Sequence, residues 1–308
     1  MIRVIGVVGP TAVGKSSLAV RLAKKYNGEI ISCDSMQIYR GMDIGTAKVS
    51  YEQMEGIPHH LIDIKDPSEP FSCADYADLA KKAIDDISSR GKLPIFCGGT
   101  GLYLDSVLEI SSFADTISDD AYRKEMEEYA AANGNDALFE LLVRVDPESA
   151  ESIHKNNVKR VIRALEIYKC TGRKKSEIDK ENKCSATPYD ATVFFLTCED
   201  KELLYRRIEE RVDIMMRADL LCEVEGLYAD GTLESSATAS AAIGYKELLP
   251  YIKGEAELDE CIAKLKLSTR HYAKRQLTWF KRKKDYIPVY VDKEDAFARV
   301  CEVLGESL

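Results

Sequence analysis

An α/β fold, with a parallel sheet at its centre and an all-helical insertion, is predicted by three features of this 308-residue chain. Residues 9–16 spell GxxxxGKS directly after the apolar run Ile2, Val4, Ile5, Val7, Val8 and before the helical spacing of Leu18, Ala19, Leu22, Ala23. Strand-like runs at 2–8, 29–33, 93–97 and 191–197 alternate with helical periodicities at 15–26, 74–90 and 100–109, the rhythm of a sheet wrapped by helices. Between about residues 112 and 188 the strand signal vanishes. Charged amphipathic segments take over there, broken by Asn-Gly-Asn and Asp-Pro-Glu. The expected division is therefore a core of 1–112 and 189–308 with a helical insertion of 113–188.

Taken in order, the first strand feeds the phosphate-binding loop and its helix. The second, Glu-Ile-Ile-Ser-Cys, ends at Asp34-Ser35-Met36-Gln37. The third, Leu-Pro-Ile-Phe-Cys, ends at Gly98-Gly99-Thr100-Gly101-Leu102-Tyr103. After the insertion, residues 192–196 resume the sheet, helical stretches follow over 200–229, 240–252 and 255–284, and a last strand–helix pair begins after Tyr286. Open α/β sheets bind ligands at the carboxyl edges of their strands, which is where Asp34 and Thr100 fall.

Composition narrows the function class. Nine cysteines without CxxC spacing argue for free thiols in a reducing compartment and against a zinc site. No apolar run approaches membrane-spanning length, and the short N-terminal apolar stretch runs straight into the phosphate loop. A cytoplasmic protein is the expectation. The net charge of −9 hides an asymmetry: residues 261–284 hold nine basic side chains and no acidic one. An acidic body with one basic strip suits a local contact with a nucleic-acid backbone, although a solvated helix face would look the same.

The glycine-rich loop carries the most specific chemistry. Gly9, Pro10, Thr11, Ala12, Val13, Gly14, Lys15 and Ser16 let several backbone N–H groups face one anion, while Lys15 adds an ammonium and Ser16 offers a hydroxyl to Mg²⁺. The motif in this context predicts a P-loop NTPase-like core and a ligand with a di- or triphosphate, ATP by motif. Asp34 reads as a Mg²⁺ carboxylate, or as a helix N-cap or turn residue. Gly-Gly-Thr-Gly alone is compatible with a simple turn.

Residues 9–16, 34–48 (DSMQIYRGMDIGTAK), 57–63 (IPHHLID), 98–103 (GGTGLY), 159–168 (KRVIRALEIY), 242–248 (AIGYKEL) and 269–280 (TRHYAKRQLTWF) resemble, in collinear order, the signature blocks of bacterial tRNA dimethylallyltransferases, also called tRNA isopentenyltransferases. The resemblance implies transfer of a dimethylallyl group from dimethylallyl diphosphate to the exocyclic amine of the adenosine just 3′ of the anticodon, with Mg²⁺. It implies Asp34 as base, Thr100 at the acceptor site, and Lys15 and Arg217 on the diphosphate. The anticodon stem-loop of tRNA would then meet Asp34, Ser35, Met36, Gln37, Thr100, Arg123, Lys159, Arg160, Arg163, Arg270, Lys274, Arg275 and Gln276. Tyr245, Tyr272, Trp279 and Phe280 are stacking candidates whose helical spacing equally suits a core. His59 and His60 read as structural. A monomer is expected.

The chain departs from the family pattern at one point, where Asp219 replaces the usual Gly before Leu220, which touches local helix geometry and loop closure on the diphosphate side. Three competitors stay open: an adenylate isopentenyltransferase, a small-molecule kinase with the same loop, and an RNA-binding protein with a regulatory nucleotide site.

Overall fold

A computed structural model describes residues 1–108, 119–184 and 187–305. Six parallel strands form one sheet: β1 (Ile2–Val8), β2 (Gly28–Cys33), β3 (His59–His60), β4 (Leu93–Gly98), β5 (Tyr189–Thr197) and β6 (Ile287–Tyr290), in the order β3-β2-β4-β1-β5-β6. The α/β expectation holds, and the four anticipated strands lie within one or two residues of their predicted bounds. β3 is the addition. Two histidines give a strand of two residues almost no sequence signal, and pairing with β2 alone creates it. His60 Nε2 lies 2.7 Å from a carboxylate oxygen of Glu29, which is 2% exposed and also receives Arg90 and Lys92. Those partners, Arg90 foremost, hold the Glu29 carboxyl far below its usual range.

The central strands are buried along their length, as expected of a sheet with helices on both faces. Helix Lys15–Lys25 turns Leu18, Ala19, Leu22 and Ala23 toward Ile5, Val7, Ile30, Ile95 and Phe194, and the last helix, Ala296–Gly305, adds Val300 and Leu304 to that core. Helix Cys73–Ser89 starts at a capping box in which Ser72 and Asp75 bond reciprocally, and buries Tyr76, Ala80, Ile84 and Ile87. A second core joins Ile38, Tyr39 and Met42 to Val212, Val224, Tyr245, Leu248 and Leu265 from helices Lys201–Arg217, Leu220–Ala229, Tyr245–Ile252 and Leu258–Phe280.

The chain divides into two compact units, residues 1–104 with 188–308 and residues 105–187. The second contains helices Asp120–Asn133, Asn135–Val145, Pro147–Ser152, Val158–Thr171 and Lys175–Cys184. Its core includes Met126, Leu138, Leu142, Val161 and Leu165, and it encloses the carboxylates of Asp146 and Glu166, the latter at 0% exposure. Arg123 (2.8 Å), Arg163 (2.5 Å) and the backbone N–H of Asp119 (2.8 Å) satisfy the Glu166 charge, as burial of a carboxylate requires. Arg123 and Arg163, expected as RNA contacts, are thus tied to an internal anion. Lys159 and Arg160 are exposed.

Asp219 sits between helices Lys201–Arg217 and Leu220–Ala229 at φ 66° and ψ 34°, in the left-handed region, with no side-chain cap hydrogen bond. Both helices form around it, so the substitution leaves local helix geometry intact at the cost of some backbone strain. A glycine takes this conformation freely, while aspartate tolerates it better than most L-residues. Asp219→Gly is expected to stabilise the chain by roughly 0.5–1 kcal/mol, read as a higher denaturant midpoint at unchanged slope. A lower midpoint would mean the carboxylate has a role beyond the backbone.

Candidate active site

Sheet register assembles the site. Val8 on β1 pairs with Gly98 on β4, and Gly98 with Cys33 on β2. The residues that follow, Gly9, Gly99 and Asp34, therefore leave the sheet side by side at its carboxyl edge. Gly9 must lack a side chain because a Cβ there would lie 2.3 Å from the carbonyl oxygen of Leu196 on β5. Beyond it the loop carries Ala12 and Gly14 at φ 63° and 96°, which curl the backbone before helix Lys15–Lys25.

A cleft of about 1200 Å³ opens beneath this edge. Its wall includes Thr11 to Ser17 except Val13, then Asp34 to Gln37, the loop from Asp43 to Tyr51, Arg211, Met215 and Tyr272. Lys15 Nζ donates to the carbonyl of Pro10 at 2.6 Å. Burial pushes the Lys15 ammonium down to about 8, with Arg211 adding to the fall and Cys97 and Asp34 opposing it. Arg211 is itself lowered by burial and held up by the Asp34 carboxylate. Two cations and one carboxylate thus share the cleft closely enough to feel one another. Asp34 Oδ1 accepts the backbone N–H of Met36 at 2.9 Å, so the turn reading holds, while the same residue lines the cleft.

Thr100 is not among the cleft-lining residues. Its hydroxyl accepts the N–H of Ser35 at 3.1 Å and meets the phenol of Tyr272, tying the turn after Asp34 to the end of β4. Burial first, and the Asp34 charge second, raise the Tyr272 phenol well above its usual value, so it stays a donor. Among the four stacking candidates Tyr272 alone lines the cleft, with the Arg275 guanidinium 5.6 Å from its ring centroid. Tyr245 and Phe280 are core at 0% and 1% exposure, and Trp279 packs on Gly101.

Three expectations require correction. Arg217 ends its helix exposed and outside the cleft, whereas Arg211 lines it. Six residues apart on a helix, the two side chains project about 120° from each other. The signal was available: Leu204, Ile208 and Val212 mark the buried stripe, and Arg211 adjoins it. Gln276, expected at the RNA, is 5% exposed; its Oε1 accepts from Thr11 N (2.9 Å) and its Nε2 donates to Gly99 O (3.0 Å). It brackets the phosphate loop to the end of β4. Arg270 pairs with Glu209 and stands 5.1 Å from the Tyr205 ring, and Lys266 pairs with Asp213, so acidic residues of the neighbouring helix compensate part of the basic strip. Lys264, Lys274, Arg275, Lys281, Arg282 and Lys284 are exposed. Among the described residues, no group of three or more His, Cys, Asp or Glu gathers to hold a metal.

Residues 37–283 match the family model for IPP transferases. The chain belongs to the IPP transferase family. It is 53% identical over 279 residues to a tRNA dimethylallyltransferase of Geobacillus thermodenitrificans, covering 91% of this chain and 87% of that protein. A tRNA dimethylallyltransferase of Bacillus pumilus is 49% identical, with 98% and 96% covered. Among solved IPP transferase relatives, the tRNA isopentenylpyrophosphate transferase of Bacillus halodurans is similar at TM-score 0.73 and 45% identity, covering 100% of this chain and 96% of that one. A eukaryotic dimethylallyltransferase acting on tRNA reaches TM-score 0.84 at 32% identity, covering 100% and 79%. The P-loop core predicted for the chain is the fold that these relatives share.

The depressed Lys15 ammonium predicts a pH dependence with a definite sign. Below about pH 8 the cation is already present, and an alkyl diphosphate probe should bind without proton uptake. Above that value binding must first protonate the lysine, so affinity should fall with rising pH, by up to about tenfold per unit. Calorimetric titrations from about pH 7 to 9.5 check this; constant affinity across the range would detach Lys15 from the anion.

Proposed function

We propose that the chain transfers a dimethylallyl group from dimethylallyl diphosphate to the exocyclic amine of the adenosine immediately 3′ of the anticodon in tRNA, releasing diphosphate. The observation that carries this reading is the convergence of Lys15, Arg211 and Asp34 on one cleft beside the phosphate loop. The loop N–H groups, Lys15 and Arg211 bind the diphosphate and stabilise the charge that grows as the carbon–oxygen bond to the dimethylallyl carbon breaks. The amine nitrogen forms the new bond to that carbon. Its proton passes to the Asp34 carboxylate, which leaves a neutral secondary amine.

Mg²⁺ suits the hard oxygen donor at hand, the Ser16 hydroxyl at the start of its helix, and when bound it would help neutralise the leaving diphosphate. Such a site needs few protein ligands, because the diphosphate supplies oxygens of its own. An adenosine stacked within an anticodon loop must swing out to enter a cleft, and phosphate contacts by exposed cations such as Lys274 and Arg275 beside it offset that penalty. A tRNA acceptor supports action in the cytoplasm, and the chain is proposed to act as a monomer.

The decisive experiment incubates the protein with dimethylallyl diphosphate, Mg²⁺ and an anticodon stem-loop carrying adenosine after the anticodon, followed by mass spectrometry of the digested RNA. One added dimethylallyl group on that adenosine is expected, with AMP and ATP poor acceptors. Equal efficiency on AMP would move the reading to the adenylate enzyme, and phosphate release from ATP without prenylation to a kinase.

A further inference from the structure

The loop from Asp43 to Lys48 walls the cleft, yet it belongs to no helix or strand. One carboxylate holds it. Glu223, from helix Leu220–Ala229, accepts three consecutive backbone N–H groups: Asp43 (3.0 Å) and Ile44 (2.8 Å) on Oε2, and Gly45 (3.0 Å) on Oε1. Oε1 also accepts the phenol of Tyr245 at 2.7 Å. Tyr245 is fully buried, and its ring presses so close to Gly45 that a Cβ there would lie 2.6 Å from it. Next along the loop Ala47 takes φ 50°, a conformation that an L-residue keeps only when its surroundings impose it. Lys48 anchors the far end on Asp43, Asp63 and the carbonyl of Tyr39.

The loop in turn carries a side chain of the site. The carboxamide Nε2 of Gln37 faces the carbonyls of Thr46 (3.4 Å) and Ala47 (3.3 Å). Gln37 lines the cleft three residues after Asp34, and a carboxamide whose orientation is fixed there can discriminate among polar groups of an entering nucleotide. We infer that Glu223 is a positioning residue for the acceptor: with Tyr245 it clamps the Asp43–Lys48 loop, and through the Thr46 and Ala47 carbonyls it sets the orientation of Gln37. This inference rests on the function proposed above. It also joins three separate sequence blocks, Asp43 to Lys48, Glu223 and Tyr245, into one device.

The test is Glu223→Gln, which keeps shape but puts an amide nitrogen where two of the four donors need an acceptor. Amide hydrogen exchange at residues 43–45 should accelerate at least about tenfold, with the affinity for an alkyl diphosphate unchanged. KM for the anticodon stem-loop should rise about tenfold and kcat move less than about threefold. Tyr245→Phe, which removes one donor and keeps the ring, should shift the same quantities in the same direction by about threefold, and it answers the question if Glu223→Gln does not fold. In a Gln37→Ala background Glu223→Gln should add less than about twofold to KM, because the route to the acceptor is already cut. A full tenfold effect in both backgrounds, or unchanged exchange at residues 43–45, overturns the inference. Exchange is read without turnover, so wild-type protein that fails to prenylate the stem-loop would instead count against the functional proposal.

Discussion

Asp34→Asn is expected to lower single-turnover prenylation by about a thousandfold, within the range for loss of a positioned general base. The substitution keeps the size of the side chain and an oxygen to accept the Met36 N–H, so the turn after β2 should survive. What disappears is the negative charge. Affinity for the stem-loop should change by less than about threefold, and affinity for the diphosphate should hold or improve, because the carboxylate that repels the incoming anion is gone. Lys15 should titrate lower, since Asp34 raises it in the wild type. This combination of slower chemistry with undiminished donor binding is hard to produce by misfolding. Rapid single-turnover chemistry with weakened binding would leave Asp34 only the turn that its Oδ1 closes.

Arg211→Gln should reduce kcat/KM by at least about a hundredfold, while Arg217→Gln stays within about threefold of wild type. A fixed cation on a departing diphosphate acts where charge accumulates, in a cleft that limits its screening by water, and removal of one such donor typically costs two to three powers of ten. Arg211 has that placement; Arg217 is exposed at the end of the same helix. Glutamine keeps much of the aliphatic stem, so packing against Val212 and its neighbours should persist, and a thermal melt of each variant separates folding from chemistry. Equal losses at both positions would contradict the cleft described here.

The core was legible because its signals are local. The phosphate loop is contiguous, strands β1, β2, β4 and β5 each centre on a short apolar run, and the edge residues Asp34 and Thr100 follow from where those runs stop. What escaped the reading depends on partners far away in sequence. Gln276 falls within a basic strip by sequence, yet its amide joins Thr11 to Gly99, across 265 and 177 residues respectively. Arg123, Arg163 and Arg270 looked like phosphate contacts because composition records charge but not the buried Glu166 or the facing Glu209 that claims it. Resemblance points to Arg217, whereas helical phase, which sets the buried side of the helix, points to Arg211. Asp219 departs from the family pattern in sequence, and its left-handed dihedral angles explain why glycine is usual there.

The sheet ends quietly at both sides. One border strand, β3, lasts two residues, and the other, β6, four, with Pro288 contributing no N–H. A border that presents a long row of unpaired amides invites another chain to dock on it, especially while a protein is newly made and its neighbours are incompletely folded. Here such a visitor would find room for a pair of residues on one side and a proline on the other. Ribosome-crowded conditions, under which many copies emerge together, should therefore leave this sheet at six strands.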